Sequence, residues 1–155
     1  MEPIDTVDPR ITAALPRGLF LMTAAVDDRS FGFLTPWVQQ CGEVPFLVTV
    51  TIQRGSSIEP ILRDSRHFAL CAVDPADRLI QRRFGEPVLE TEDTFVGIPH
   101  FRGLSGSPVI RRSAFYLDCE LAGHMAIESD CRIYIGQVIA AGLLELPDSL
   151  KSTGS

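Results

Sequence analysis

Two periodicities alternate along the chain, and together they predict strands that outnumber helices. Residues 18–26 (GLFLMTAAV) form a nearly unbroken apolar run, the mark of a buried strand. Asp27, Asp28, Arg29 and Ser30 follow as a turn, and Phe31 begins an antiparallel return. Pro36 interrupts that return: it has no amide hydrogen to give to a ladder, so an edge, a bulge or a strand end belongs there. A turn over residues 42–45 leads into residues 46–53, a segment of high β-propensity. Residues 67–74 (HFALCAVD) read as a strand covered on both faces. Further on, residues 109–111 are a short strand. Residues 114–121 alternate, placing Leu117, Cys119 and Leu121 on one face and Asp118 and Glu120 on the other. Residues 132–146 form a long apolar strand in which Gly136 and Gly142 allow bends.

The helices are short. Asp8 caps one with Pro9 in its first position, and Pro16 stops it near Leu15. Ile58, Ile61 and Leu62 have helical spacing and predict a helix from Ser57 to about Arg66. Asp74 and Pro75 open a third, with Leu79, Ile80 and Phe84 as its apolar stripe and Gly85 as its stop. Residues 86–107 have little periodicity, which marks a functional connection or one packed against a partner. Six or so strands with a few short helices imply a closed or nearly closed antiparallel barrel with helical decoration.

Composition narrows the function. With 155 residues, 45% of them hydrophobic, residues 1–146 read as one domain with a sizeable core, and residues 147–155 as a flexible tail. The net charge is −6 and the basic residues are scattered, with no stripe of the kind that binds nucleic acid. A polar, acidic N-terminus and the lack of a bilayer-length apolar run lead us to expect a cytoplasmic protein with no membrane partner. Cys41, Cys71, Cys119 and Cys131 lie far apart, as do His67, His100 and His124. We therefore expect reduced thiols and no metal site.

The candidate chemistry lies in residues 31–60, which hold the only Trp, Trp37, and the run Arg54, Gly55, Ser56, Ser57 ahead of a helix. Gly55 lets the chain turn with positive φ. The first amides of a helix lack internal partners and, with the helix dipole, favour an anion such as phosphate. Arg54 adds a charged, forked donor. An ordinary capped helix with a solvated Arg is the alternative. Ser56 with Glu59 fits a capping box, but it would make Pro60 the fourth helical residue, whose amide should start the hydrogen-bond ladder. Ser57 as cap makes Pro60 third and leaves Ser56 for a ligand.

Several short segments repeat a known order. They are Leu15-Pro16-Arg17-Gly18; residues 32–45, similar to a G-x-x-x-x-W-V-x-Q-x-S-x-x-P-P pattern; residues 54–57; residues 68–73; and Arg83-Phe84-Gly85. Residues 95–99 (FVGIP), 105–109 (SGSPV) and 117–120 (LDCE) and Gly136-Gln137-Val138 complete the series. In that order and spacing the chain resembles the flavin reductase-like family over residues 13–141. The resemblance implies a mainly β chain with short helices, an FMN-binding split β-barrel, antiparallel and Greek-key-like, working as a homodimer with flavin near the seam. It implies FMN, with FAD as the alternative. The ring would lie along Thr35, Pro36, Trp37, Gln40 and Cys41, held in part by backbone amides, and the phosphate near Arg54, Gly55, Ser56 and Ser57.

Hydride would come from NADH or NADPH, and electrons would go on to a partner oxygenase or another acceptor. A flavin carries the redox step itself, so no catalytic side chain is expected. The chain departs from the family pattern at Cys41 and Gly42, at Pro45 and Phe46, and at Ser129, Asp130 and Cys131, where Gly-Asp-His is frequent. The family's aromatic tail motif is also missing. These departures carry the alternative reading, an FMN-binding electron carrier or flavin-binding module without direct NAD(P)H turnover. Trp37 is either a flank of the flavin or a core or dimer anchor, and Gln40 either a ring contact or an exposed strand residue. Cys41 reads more readily as an inert thiol than a reactive one, and His100 as a loop residue rather than a gate.

Overall fold

The computed structural model describes residue 4, residues 6–85 and residues 94–144. The first helix, α1 (Pro9–Ala14), starts where expected, with the Asp8 carboxylate accepting the Arg10 amide. Strands β1 (Phe20–Val26) and β2 (Arg29–Thr35) pair through a two-residue turn. There Asp27 takes φ 51°, a conformation that Asp tolerates better than most residues. Then come β3 (Val38–Gly42), β4 (Leu47–Gln53), α2 (Ile58–Ser65), β5 (His67–Ala72) and α3 (Arg78–Phe84). A small hairpin, β6 (His100–Arg102) with β7 (Pro108–Ile110), precedes the two longest strands, β8 (Phe115–Ala126) and β9 (Cys131–Leu143).

The main sheet has seven antiparallel strands in the order β2-β1-β5-β8-β9-β4-β3, and β6 and β7 form a sheet of their own. This corrects the expected barrel: the described sheet is open, with β2 and β3 as its two edges. The connection between those edges is only Pro36 and Trp37. Six inter-strand steps of about 4.8 Å would separate the edges of a flat sheet by about 29 Å. Two linking residues span about 11 Å at most, so the sheet is strongly curved and its edges meet at one corner. Closure stops there because Pro36 has no amide to donate. The Thr35 hydroxyl bonds the Thr51 carbonyl at 2.7 Å, and no β2–β3 ladder forms among the described residues.

Both faces of the curved sheet are covered, which is why β1 and β5 read as continuous apolar runs. On one face α2 places Ile58, Ile61 and Leu62 against Met22, Val50 and Phe68. On the other, α3 and the β6–β7 hairpin bring Ile80, Phe84, Val109 and Ile110 onto Leu21, Ala69 and Cys71.

Several local expectations need correction. Helix α3 begins at Arg78 rather than at Asp74, because Asp74 spends its carboxylate on the Ala76 amide and its carbonyl on the Asp77 amide, a turn of its own. Asp77 is the cap, and Leu79 is exposed instead of lying in the apolar stripe. Residues 94–107 contain β6 and an ordered turn, whereas residues 86–93 and the tail at 147–155 lie outside the described residues. Asp118 faces the protein interior, fully buried, and accepts bonds from the Ser105 amide (2.9 Å) and hydroxyl (2.5 Å). Gly136 is a point of close packing, and it borders the register shift opposite Leu121 and Gly123. A Cβ there would stand 2.4 Å from Cζ of Phe68. The irregularities of β8 and β9 fall between Asp118 and Cys119 and between Leu121 and Gly123.

Candidate functional site

The corner between β2, β3 and β4 is held by Thr35, which is buried at the end of β2. Its hydroxyl donates to the Thr51 carbonyl and accepts the Trp37 amide at 3.2 Å, so both its roles are internal. The carbonyl of Pro36 accepts the Gly18 amide (3.2 Å), and that of Trp37 accepts the Thr51 amide (3.0 Å). The Trp37 side chain is left 48% exposed, too open for a core anchor within this chain. Beyond it β3 is an edge strand, with one row of backbone donors and acceptors facing outward. Gln40 is exposed and turns its amide to the Gly42 carbonyl (3.1 Å). Cys41 is exposed within the register shift between Gln40 and Gly42.

The other end of the predicted site follows three residues after Thr51. The Arg54 amide donates to the Asp130 carbonyl (2.8 Å) and one guanidinium nitrogen to the Ile127 carbonyl (2.7 Å), tying β4 to the turn between β8 and β9. Gly55 has φ +82°, and a Cβ there would meet nothing within 4 Å, so the backbone can be approached closely. Ser57 holds the cap position and Pro60 is the third helical residue, as the sequence requires. The two serines differ from expectation in their bonds: Ser57 makes no side-chain capping bond, and Ser56 accepts the Ile58 amide at a long 3.5 Å. The hydroxyl of Ser57, the Gly55 backbone and the remaining N–H groups of Arg54 are donors suited to a phosphate.

Thr51 and Arg54 are about 10 Å apart along β4. Trp37 and the Arg54–Ser57 run thus belong to one corner. Gln40, paired with Val48, lies about 20 Å from Arg54 along the same strand and recedes from the phosphate end together with Cys41.

Sequence reasoning missed an adjoining cavity of about 360 Å³. Gly55, Ser56, Glu59 and Pro60 form one side of it. Arg63 and Arg66 stand at the end of α2, and Leu121, His124, Arg132 and Tyr134 come from β8 and β9. The 59, 63 spacing was a signal, since it puts both side chains on one helix face, and Arg66 joins them as the left-handed C-cap. Its meaning depends on Arg132, brought opposite Ile52 by the β4–β9 register. The Arg132 guanidinium pairs with Glu59 at 3.1 Å. Burial pushes the Tyr134 phenol above its ordinary range, with Arg132 drawing it back.

The thiols differ sharply. Burial pushes Cys71 and Cys119 up to about 12, and burial followed by the Asp130 charge raises Cys131. Iodoacetamide at pH 8 is therefore expected to label exposed Cys41 first and Cys131 more slowly, with Cys71 and Cys119 reacting only in denaturant. Peptide mass spectrometry reads the order, and labelling of Cys71 in the native protein would contradict it. Among the described residues no group of three or more His, Cys, Asp or Glu is placed to hold a metal ion, and no helix is long and apolar enough to cross a membrane.

Comparison with known proteins adds to this geometry. The model of the flavin reductase like domain matches residues 12–150. A putative diflavin flavoprotein of Nostoc sp. (strain PCC 7120) is 22% identical over 154 residues, covering 97% of this chain and 26% of that protein. A diflavin flavoprotein of Synechocystis sp. (strain PCC 6803) is 23% identical over 138 residues, covering 86% of this chain and 24% of that protein. The chain thus spans about a quarter of the length of the curated relatives it matches. Among solved structures, an NADH:FAD oxidoreductase of Streptomyces globisporus superposes with a TM-score of 0.79 at 21% identity, covering 92% of this chain and 89% of that one. An FMN-binding protein of Thermus thermophilus does so with a TM-score of 0.79 at 19% identity, covering 94% and 82%.

Proposed function

The chain belongs to the flavin reductase like domain family, and on that premise we propose that it binds FMN at the corner between β3 and α2 and accepts hydride there from NADH or NADPH. The observation that carries this reading is the meeting of two ends of a site. A half-exposed Trp37 beside an unpaired strand edge shares one corner with Arg54, Gly55, Ser56 and Ser57 at a helix start. When bound, the flavin supplies the hydride chemistry.

The chain's own residues bind and place it. Arg54 and Ser57 hold the phosphate, the Gly55 backbone allows its approach, and Ser56 lines the same turn. Thr35 and Pro36 shape the corner from below, the outer amides of β3 as far as Gln40 and Cys41 hold the ring edge, and Trp37 flanks it against water. FAD is the alternative flavin. Trp37, Val44 and Phe46 are all exposed along this edge, which supports a homodimer seam beside the flavin. A partner oxygenase or another acceptor would take the electrons.

The second reading, an FMN-binding electron carrier without NAD(P)H turnover, is favoured by the turn at Ser129, Asp130 and Cys131. There the Ser129 hydroxyl bonds Asp130 (3.0 Å) and accepts the Cys131 amide (3.3 Å), and no imidazole is present.

Titration with FMN and riboflavin tests the site. Arg54→Ala is expected to weaken FMN by about tenfold to a hundredfold, the loss of a charged hydrogen bond, while riboflavin changes little. Equal weakening of both would remove the phosphate from Arg54. Bound FMN with no oxidation of NADH or NADPH would leave the carrier reading, and failure of either flavin to bind would end both.

A further inference from the structure

Helix α1 breaks a rule that the other two helices keep. Whereas α2 buries Ile58, Ile61 and Leu62 and α3 buries Ile80 and Phe84, α1 buries no residue. Ile4, Val7, Ile11 and Leu15 recur every three or four residues along this arm, as on one side of a helix. All four are exposed, Val7 the least at 46%. A helix of six residues is too short to hold in water by propensity alone. The arm is nevertheless tied down at its end, where the Gly18 amide meets the Pro36 carbonyl at 3.2 Å, next to Trp37.

The sheet has a matching gap. Strands β4 and β9 turn Val48, Val50, Ile52 and Tyr134 toward α2, and their alternate residues Thr49, Thr51, Ile133 and Ile135 face the other way, each half-buried. The helix and hairpin on that outer side lie over Leu21 of β1 and over Ala69 and Cys71 of β5. Ile133 and Ile135 belong to neither core cluster. Register puts Ile133 between Thr51 and the exposed Met125, and Trp37 extends the row, since its carbonyl accepts the Thr51 amide at 3.0 Å. The next row is Gln39, Thr49, Ile135 and Gly123. Crossing β3, β4, β9 and β8 takes three inter-strand steps, about 14 Å. The stretch from Val7 to Leu15 advances about 12 Å at the helical rise.

We propose that α1 crosses to a second copy of this chain and lies on the outer face of its β3, β4, β9 and β8, with the apolar side of the arm against Trp37, Ile133, Ile135 and Met125. Each chain carries one unpartnered arm and one unpartnered sheet face, and within a single chain the two do not meet. An unrelated partner that covered the sheet would still leave α1 bare. A second copy satisfies both surfaces, and a twofold axis makes every contact twice. The exchange rests on the homodimer of the functional reading and adds the segment that fills its seam, since the partner's arm closes over Trp37.

Sedimentation velocity and cysteine cross-linking of the full chain test the exchange. The parent should sediment as a dimer at micromolar concentration. Ile11→Asp should raise its dissociation constant by about tenfold or more, because the new carboxylate is desolvated in both halves of the interface. The circular dichroism of that variant should match the parent's, since Ile11 is exposed in the single chain. For the cross-link, Cys41→Ser and Cys131→Ser remove the accessible thiols. One copy carrying Ile11→Cys is then mixed with another carrying Met125→Cys and treated with a short bismaleimide. A covalent dimer of the two different copies is expected.

A monomeric parent, or an Ile11→Asp variant that dimerises as tightly as the parent, overturns the exchange. So does a dimer that yields no cross-link, which leaves a homodimer with another seam. A monomer that carries both new cysteines and cross-links to itself seats α1 on its own sheet and also overturns it. A cross-linked dimer that takes no flavin keeps the exchange and ends the flavin reading, and a monomer that binds FMN does the reverse.

Discussion

Gly136→Val is expected to destabilise the fold by about 3 kcal/mol or more, seen as a lower denaturant midpoint with little change in slope. Gly136 sits where β9 crosses Leu121 of β8 and Val48 of β4. A Cβ at this position would stand 2.4 Å from Cζ of Phe68 and 3.0 Å from the Cβ of Cys119, and both neighbours are fully buried. Neither the aromatic ring nor a strand backbone has room to retreat in a close-packed interior. Gly136→Ala should cost less, and Phe68→Leu should relieve part of it. The double mutant is then expected to lose less than the sum of the two single losses. Strict additivity would mean that the ring is not what excludes a side chain at position 136.

Asp77→Ala is the second large effect, about 3 kcal/mol, because two interactions go at once. The Asp77 carboxylate is buried and receives the Arg112 guanidinium through both oxygens, at 2.8 and 2.9 Å. The same side chain caps α3 at the Ile80 amide, 3.5 Å away. Its loss leaves Arg112, whose side chain is only 28% exposed, without its partner, and frees the first turn of the helix that covers the outer face of the sheet. Asp77→Asn keeps an acceptor for the cap and gives up the charged pair, so it should fall between the parent and the alanine variant. Denaturant unfolding measures all three. Flavin affinity should stay near the parent value wherever the protein remains folded, since α3 packs on the face opposite α2. A loss for Asp77→Ala no larger than that of an average surface substitution, about 0.5 kcal/mol, would show that Arg112 finds water in place of its partner.

Both residues also show how far the sequence could be read. Gly136 was visible as a glycine in an apolar strand, a sign of a bulge, a bend or a close approach. Only the pairing of β5, β8 and β9 shows that Phe68 crowds this position and that a register shift lies beside it. Asp77 was hidden behind Asp74 and Pro75, a start signal of equal strength three residues earlier, and the tie was broken by Arg112, 35 residues away. Alternation placed Asp118 with Glu120, on the face opposite Leu117, Cys119 and Leu121. Asp118 is buried because Ser105 supplies partners that no local pattern reveals.

The candidate site divides the same way. The helix start at Ser57, Pro60 in third place and the break at Pro36 are local steric and hydrogen-bonding facts, and the sequence by itself determined them. The dominance of strands over short helices was legible in the same way, since side-chain period reports which face is buried, although nine strands form among the described residues where six or so were expected and β6 lies in a segment without a readable period. Tertiary structure decided which edges meet and how far closure runs. It also decided that Trp37 and Arg54 share a corner while Gln40 and Cys41 recede, and that Arg132 reaches Glu59 beneath Arg63 and Arg66. Those outcomes depend on strand order and register, set by contacts between segments far apart in the chain. A sequence period carries which side of a strand is buried, but not which partner lies across from it.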